Sequence, residues 1–186
     1  RILKSCGQTV FLAAPTGRAA KRMSEVTGEE AKTIHRLLQV AWDSQDRPVF
    51  MRNEKDPLEC DAVIVDELSM VDSLLFAALL KAIPMGCRVI LVGDSEQLPS
   101  VGAGNVLGDL IASELFPTVQ LKQIFRQSMQ SLIVTNAHRI IGGGMPELTR
   151  HDSDFFYLPF YEAGQIARTI VDLCVRRLPK SYDYTI

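Results

Sequence analysis

The stretch AVIVDELSMVD, Ala62–Asp72, decides the fold. Ala62 to Val65 are apolar without a break, and they run directly into two adjacent carboxylates, Asp66 and Glu67. A second stretch of the same grammar, VILVGDSEQLPSVGAG, spans Val89–Gly104; its apolar run closes on Gly93 and Asp94, followed by Gln97. Short continuous apolar strands are buried on both faces, as in a parallel sheet, and α/β sheets place their sites at the carboxyl tips of the strands. The expectation is an α/β fold with acids gathered at neighbouring tips. Paired carboxylates there are suited to holding magnesium and orienting water at a nucleotide.

Working outward, Val10–Ala14 reads as another buried strand, broken by Pro15, Thr16 and Gly17. A helix is expected over Arg18–Val26, with Arg18, Lys21 and Arg22 outward. A second is expected from near Glu30 through KTIHRLLQVA, where Ile34, Leu37, Leu38 and Ala41 recur at helical spacing. Residues 42–59 are polar and turn-rich and suit a small hairpin, in which Trp42 and Phe50 either stack on bases or pin the hairpin to the domain. Helices are expected at Ser73–Ile83, from Asn105, at Ser131–Ile141 and at Glu162–Arg177, the last stopped by Pro179. Strand character is expected at Arg88–Val92, Thr118–Leu121 and Phe155–Leu158.

Size and composition narrow the class. The chain has 186 residues, is 47% hydrophobic and 23% charged, and carries a net charge of −2. That excludes a disordered chain and one that coats nucleic acid indiscriminately. Residues 1–36 nevertheless hold seven basic residues against three acidic ones, enough for a local phosphate-contacting surface or for a solvated helix face. No apolar run reaches the roughly 20 residues that cross a bilayer. The scattered cysteines, Cys6, Cys60, Cys87 and Cys174, read as reduced and mostly buried, as in a cytoplasmic protein, and the three histidines are too dispersed for zinc. The chain opens near a strand without an initiator Met and closes on the β-prone SYDYTI; it reads as a piece of a longer protein.

The residue chemistry then divides into roles. Asp66 can hold magnesium and Glu67 can polarise water; the competing structural role is a carboxylate capping the next helix. Gln97 offers an amide that can sense a terminal phosphate, and Arg126 a forked donor for the same group, unless Arg126 is an ordinary surface arginine. Thr33 suits a phosphate contact or a local cap, and His35 a backbone contact or a packing histidine. No GxxxxGK[ST] run is present, so the chain lacks its own phosphate loop and is expected to hydrolyse ATP hardly at all by itself.

In order and spacing, APTGRAAKRMSE (Ala14–Glu25), KTIHRLL (Lys32–Leu38), VIVDELSMVD (Val63–Asp72), VILVGDSEQLPSVGAGNVLGDLI (Val89–Ile111) and LKQIFRQ (Leu121–Gln127) resemble successive motifs of the RecD/TraA group of superfamily 1 DNA helicases. This group includes the alpha chain of exodeoxyribonuclease V and stand-alone RecD-like helicases. The resemblance spans about residues 1–145. It implies a RecA-like P-loop NTPase fold, a parallel sheet flanked by helices and incomplete at its N-terminal edge. Residues 1–145 would be a truncated first motor domain, and 146–186 would lead toward a second.

It further implies that Asp66 binds the metal, that Glu67 activates water, and that Gln97 and Arg126 contact nucleotide and take part in catalysis. Pro15, Thr16, Arg18, Thr33 and His35 would contact DNA. The implied activity is ATP- and Mg2+-dependent 5′→3′ translocation on single-stranded DNA and unwinding at duplex junctions, in DNA recombination and repair. The implied partners are DNA, ATP and, in one branch of the group, subunits of a nuclease–helicase complex. The alternatives are a non-catalytic interaction module that keeps a RecA-like fold, or another P-loop NTPase, which would leave the 13–38 and 97–111 patterns unexplained.

Overall fold

The computed structural model describes residues 1–121 and 131–182. They fall into two compact units, Arg1–Gln120 and Leu121–Ile186.

The first unit is built on a four-stranded parallel sheet of β1 (Val10–Ala14), β2 (Ala31–Thr33), β5 (Ala62–Val65) and β6 (Arg88–Leu91), in the order β2-β1-β5-β6. The register pairs Ala13 with both Lys32 and Val65, and Val65 with Leu91, so all four strands end along one edge. Alternation sorts the side chains. Ala13, Val63 and Val65 join one buried cluster with Ile34, Leu37 and Leu38 of the α3 segment (Ile34–Leu37) and with Leu75 and Leu79 of α4 (Ser73–Ala82). Each fully buried Val or Leu there contributes roughly 1.5–3 kcal/mol. Leu12, Ala14 and Ala62 are also buried, and α2 (Gly17–Thr27) packs along β1 with Ala20 inward. The short α1 (Ile2–Ser5) precedes β1, and the Lys4 ammonium pairs with Glu29 just past α2.

The expected helix from Glu30 is the main departure from the sequence reading. Ala31–Thr33 instead form β2, a single turn of helix follows at Ile34–Leu37, and Val40–Trp42 form β3. The helical spacing of Ile34, Leu37 and Leu38 is satisfied by that one turn. The open side of β1 takes residues 31–33 as a ladder partner, and tertiary pairing overrides the periodicity. β3 pairs antiparallel with β4 (Pro48–Phe50), the hairpin expected in 42–59. Asp43 closes its turn, accepting from the Gln45 and Arg47 amides at 2.8 and 2.9 Å. Phe50 packs against the core and lies 5.9 Å from the His35 ring, centroid to centroid, whereas Trp42 is 64% exposed and pins nothing.

β6 leads through residues 92–105 into α5 (Val106–Ala112), which Asn105 caps. Thr118–Leu121 forms no strand: Val119 and Leu121 are exposed, and among the described residues no ladder lies beside them.

The second unit is helical where it is described. Ser131 caps α6 (Leu132–Ile141), and the Asp154 carboxylate adds bonds from the Leu132 and Ile133 amides at 2.7 and 3.3 Å. Asn136, buried, closes the segment that follows: it donates to the Glu147 carbonyl at 2.9 Å and accepts from the Glu147 amide at 2.7 Å. Phe155–Leu158 is irregular, because this unit offers no described strand to pair with. The amphipathic α7 (Ala163–Asp172) continues through a π-helical stretch, Leu173–Arg177, into α8 (Leu178–Tyr182). Pro179 thus does not stop the helix. The backbone stays helical up to it, Leu178 lying at φ −63° and ψ −41°, and the π-helical turn stands immediately before it.

Candidate nucleotide and nucleic-acid site

Because the strands are parallel, every loop that leaves a carboxyl tip rises from one edge of the sheet. Three of those loops carry residues singled out above, and a fourth carries the two acids. β1 exits through Pro15 and Thr16. Thr16 sits in extended backbone as the N-cap of α2, its Oγ1 accepting from the Ala19 amide at 3.2 Å. Arg18, in the first turn of α2, is exposed. Thr33 ends β2 and caps the α3 turn, accepting from the Arg36 amide at 3.2 Å. Both threonines therefore cap a helix start at the tip edge, each satisfying one backbone amide. His35 is exposed within the α3 turn and faces Phe50.

The β5 tip is held by its backbone. The Asp66 amide donates to the Ala13 carbonyl of β1 at 2.9 Å, and the Leu68 amide donates to the Val92 carbonyl beyond β6 at 2.9 Å. Between them Glu67 adopts φ +55° and ψ 42°, a left-handed conformation uncommon for a residue with a side chain. Asp66 Oδ1 accepts from the Glu67 amide at 2.9 Å, and the Leu68–Met70 turn follows. Neither acid caps a helix. Glu67 makes no side-chain cap bond, and the cap of α4 is Asp72, whose Oδ1 accepts from the Leu75 amide at 2.8 Å. Asp66 and Glu67 are both half-buried, with the turn's Leu68 and Ser69 buried behind them.

The β6 tip comes close against this turn. A Cβ on Gly93 would stand 3.1 Å from the Leu68 amide nitrogen and 3.2 Å from that of Ser69, and 2.9 Å from Leu107 Cδ2. A larger residue would push the two exits apart by a few tenths of an ångström and displace the Leu107 side chain. Asp94 then organises its own loop: Oδ1 accepts from the Glu96 amide at 3.0 Å, and Oδ2 accepts from Gln97 Nε2 at 3.5 Å. Gln97 is exposed. The loop's far end is fastened to the start of α4. The Ser73 amide donates to the Ala103 carbonyl at 3.0 Å, and a Cβ on Gly104, at φ +104°, would collide with Ser73 Oγ.

The structure thus brings together the tips bearing Pro15 and Thr16, Thr33, Asp66 and Glu67, and Gly93 and Asp94 on one edge. Arg126 lies outside the described residues. Sequence reasoning passed over Asp72 and Ser73, which anchor the second loop. The signal was available in Asp72 standing immediately before the apolar run SLLFAALL, a capping arrangement. Among the described residues no group of three or more His, Cys, Asp or Glu side chains could hold a metal.

Residues 1–154 match the model of a protein family described as AAA domain. The chain belongs to that family. Its parallel sheet flanked by helices is the α/β arrangement expected from the sequence. Among curated proteins it is 43% identical over 145 residues to the ATP-dependent RecD2 DNA helicase of Deinococcus radiodurans, covering 78% of this chain and 19% of that protein. It is 41% identical over 118 residues to the RecBCD enzyme subunit RecD of Mycolicibacterium smegmatis, covering 55% of this chain and 21% of that one. The family member described here therefore spans about a fifth of the length of the curated relatives it matches. A crystal structure of Bacteroides Pif1 bound to ssDNA overlaps 94% of this chain and 48% of that one at 18% identity and a TM-score of 0.49, too loose to extend the sequence match. No described helix is long and apolar enough to cross a membrane.

Proposed function

We propose that this chain is part of the first motor domain of a RecD-type, ATP-dependent superfamily 1 DNA helicase. In that reading the longer protein supplies the phosphate loop and the second motor domain. The observation that carries the proposal is the shared edge of the four strand tips. There the Leu68–Ser69 turn that follows the paired acids lies directly against the Val92–Gly93 exit, and two helix starts are capped by Thr16 and Thr33. The relatives named RecD2 DNA helicase and RecD support it.

The donor set suits nucleotide and magnesium in part: two carboxylates and an amide are present, and a phosphate cradle is not. Magnesium and ATP, when bound, would supply a phosphorus centre whose charge is neutralised for attack by water. Asp66, whose Oδ1 accepts from the Glu67 amide, is the residue that would hold the metal. Glu67 would orient the water and hold its proton. Gln97, on an exposed loop joined to α4, would report nucleotide state to that loop. Arg126 would add a forked cation. Pro15, Thr16, Arg18, Thr33 and His35 would grip the DNA backbone without reading sequence, as suits a protein that must pass every sequence.

We further read the 5′→3′ direction, work at duplex junctions in recombination and repair, and a cytoplasmic location as properties of the longer protein, with partner subunits as in RecBCD where it works in a complex. Among the described residues β6 is an edge strand, which leaves its outer ladder for a further strand of the longer protein.

The test is Glu67→Gln in the longer protein from the same gene. DNA-stimulated ATP turnover should fall at least about 100-fold, while nucleotide binding measured by fluorescence titration stays within about twofold. Near-wild-type turnover would overturn the assignment. So would a longer protein in which no residues cradle phosphate.

A further inference from the structure

The opposite end of the same sheet carries a pair that the tip chemistry does not use. Cys60 stands two residues before β5 and Cys87 immediately before β6, and their sulfurs lie 3.8 Å apart. The strand starts are in register: Ala62 pairs with Arg88, and the Arg88 amide donates to the Asp61 carbonyl at 2.9 Å. Both cysteines are partly exposed and pack on the rim of the core, and all four cysteines are free. The expectation of mostly buried cysteines is thereby corrected: Cys6 is exposed and the other three are half-buried.

We propose that Cys60 and Cys87 form an oxidative modification site, a cross-strand dithiol that closes to a disulfide by exchange with a small glutathione-type disulfide and so clamps the starts of β5 and β6. Closure needs the sulfurs to move from 3.8 Å to bonding distance, about 2.05 Å. The strand pairing already holds the two chains side by side, so the movement falls on side-chain torsions and on the turn before β6.

The chemistry runs in two steps. The Cys87 thiolate attacks the small disulfide; a Cys87 S–S bond forms, the small S–S bond breaks, and one small thiolate leaves. Cys60 then loses its proton to solvent and attacks Cys87 Sγ, expelling the second small thiolate. Two protein thiols are oxidised, and one small disulfide is reduced to two thiols. Burial, and then the neighbouring Cys87, push the Cys60 thiol up, so Cys87 is taken as the first attacker; the same two exchanges balance in either order. Once Cys87 is in the mixed disulfide, its charge and hydrogen bond no longer oppose ionisation of Cys60. The resulting loop contains β5, the acid turn and α4, so the clamp restrains the unfolded chain across the whole centre of the unit.

The test uses the 186-residue chain and a Cys6→Ser/Cys174→Ser variant, each titrated with oxidised glutathione. The expected product is two hydrogens lighter, with a Cys60–Cys87 cross-linked peptide on mapping. Its melting midpoint should rise on the order of 5–10 °C and return to the starting value with dithiothreitol. The cross-link should form faster in the native chain than in urea. Cys87→Ser should give neither the cross-link nor the rise. Stable glutathione adducts without a cross-link, faster closure in urea, or a cross-link that leaves the midpoint unmoved would each overturn the proposal.

Discussion

The tips of β5 and β6 have the same sequence grammar, an apolar run closing on an acid, and they are held in opposite ways. The β5 tip is fastened by main chain on both sides, to β1 through the Asp66 amide and to the β6 exit through the Leu68 amide. Its acids are half-buried, and Glu67 is kept in a left-handed conformation that costs on the order of 1–3 kcal/mol. The β6 exit shares the Leu68–Val92 bond and passes close to that turn at Gly93, but from Asp94 to Pro99 the loop is exposed, held locally by Asp94, and fastened again where Ala103 and Gly104 meet Ser73. One loop fixes groups in place. The other is anchored at a distance and leaves its polar side chains free to respond. Under the proposed function that is the division between residues that do chemistry and a residue that senses it.

The largest expected effect on folding comes from breaking the far anchor. Gly104→Val puts a β-branched residue at φ +104° and drives its Cβ into Ser73 Oγ. Strain and overpacking together should cost about 2–5 kcal/mol, lowering the melting midpoint of the first unit by on the order of 10 °C. A loss under about 1 °C would mean that the loop is not seated on α4.

A smaller effect separates the two duties of Asp72. Asp72→Ala removes the cap from the Leu75 amide and should cost about 1 kcal/mol, while Asp72→Asn, which keeps an acceptor, should cost a few tenths. Urea titrations of the two variants check this. Equal losses would move the role of Asp72 from capping to its charge or its packing beside Gly102.

These anchors also show what was legible beforehand. The apolar runs of β1 and β5, and the residues that end them, could be read because strands in the middle of a parallel sheet leave an unbroken hydrophobic signature; β6 could be read from the same apolar run, although as an edge strand it is exposed at Arg88 and Val89 and only half-buried at Ile90 and Leu91. The start of α2 could be read because Pro15, Thr16 and Gly17 break the strand before it, whereas the cap of α4 at Asp72 was passed over although the residue type signals it. Ala31–Thr33 could not: three residues carry no period, and what makes them a strand is the vacant side of β1. Thr118–Leu121 and Phe155–Leu158 have strand composition, but among the described residues they have no neighbour to pair with. The anchoring of Gly104 on Ser73 joins residues about 30 apart in sequence and leaves no local mark.

The smallest expected effect on stability, and the one that bears most on the contrast, is at Gln97. Its side chain is exposed and reaches only Asp94, at 3.5 Å, a weak bond in water. Gln97→Ala should therefore leave the melting midpoint within about 1 °C, corresponding to less than ~0.5 kcal/mol. Glu67→Gln should do the same, because the β5 tip is held by backbone that the substitution does not touch. The two variants should part company in the longer protein. Glu67→Gln removes turnover with or without DNA, whereas Gln97→Ala leaves DNA-independent turnover within a few-fold and loses most of the stimulation by single-stranded DNA. Steady-state turnover measured across a DNA titration distinguishes them. If Gln97→Ala instead abolishes basal turnover as completely as Glu67→Gln, the exposed loop belongs to the chemistry itself, and the division between a fixed tip and a responsive one fails.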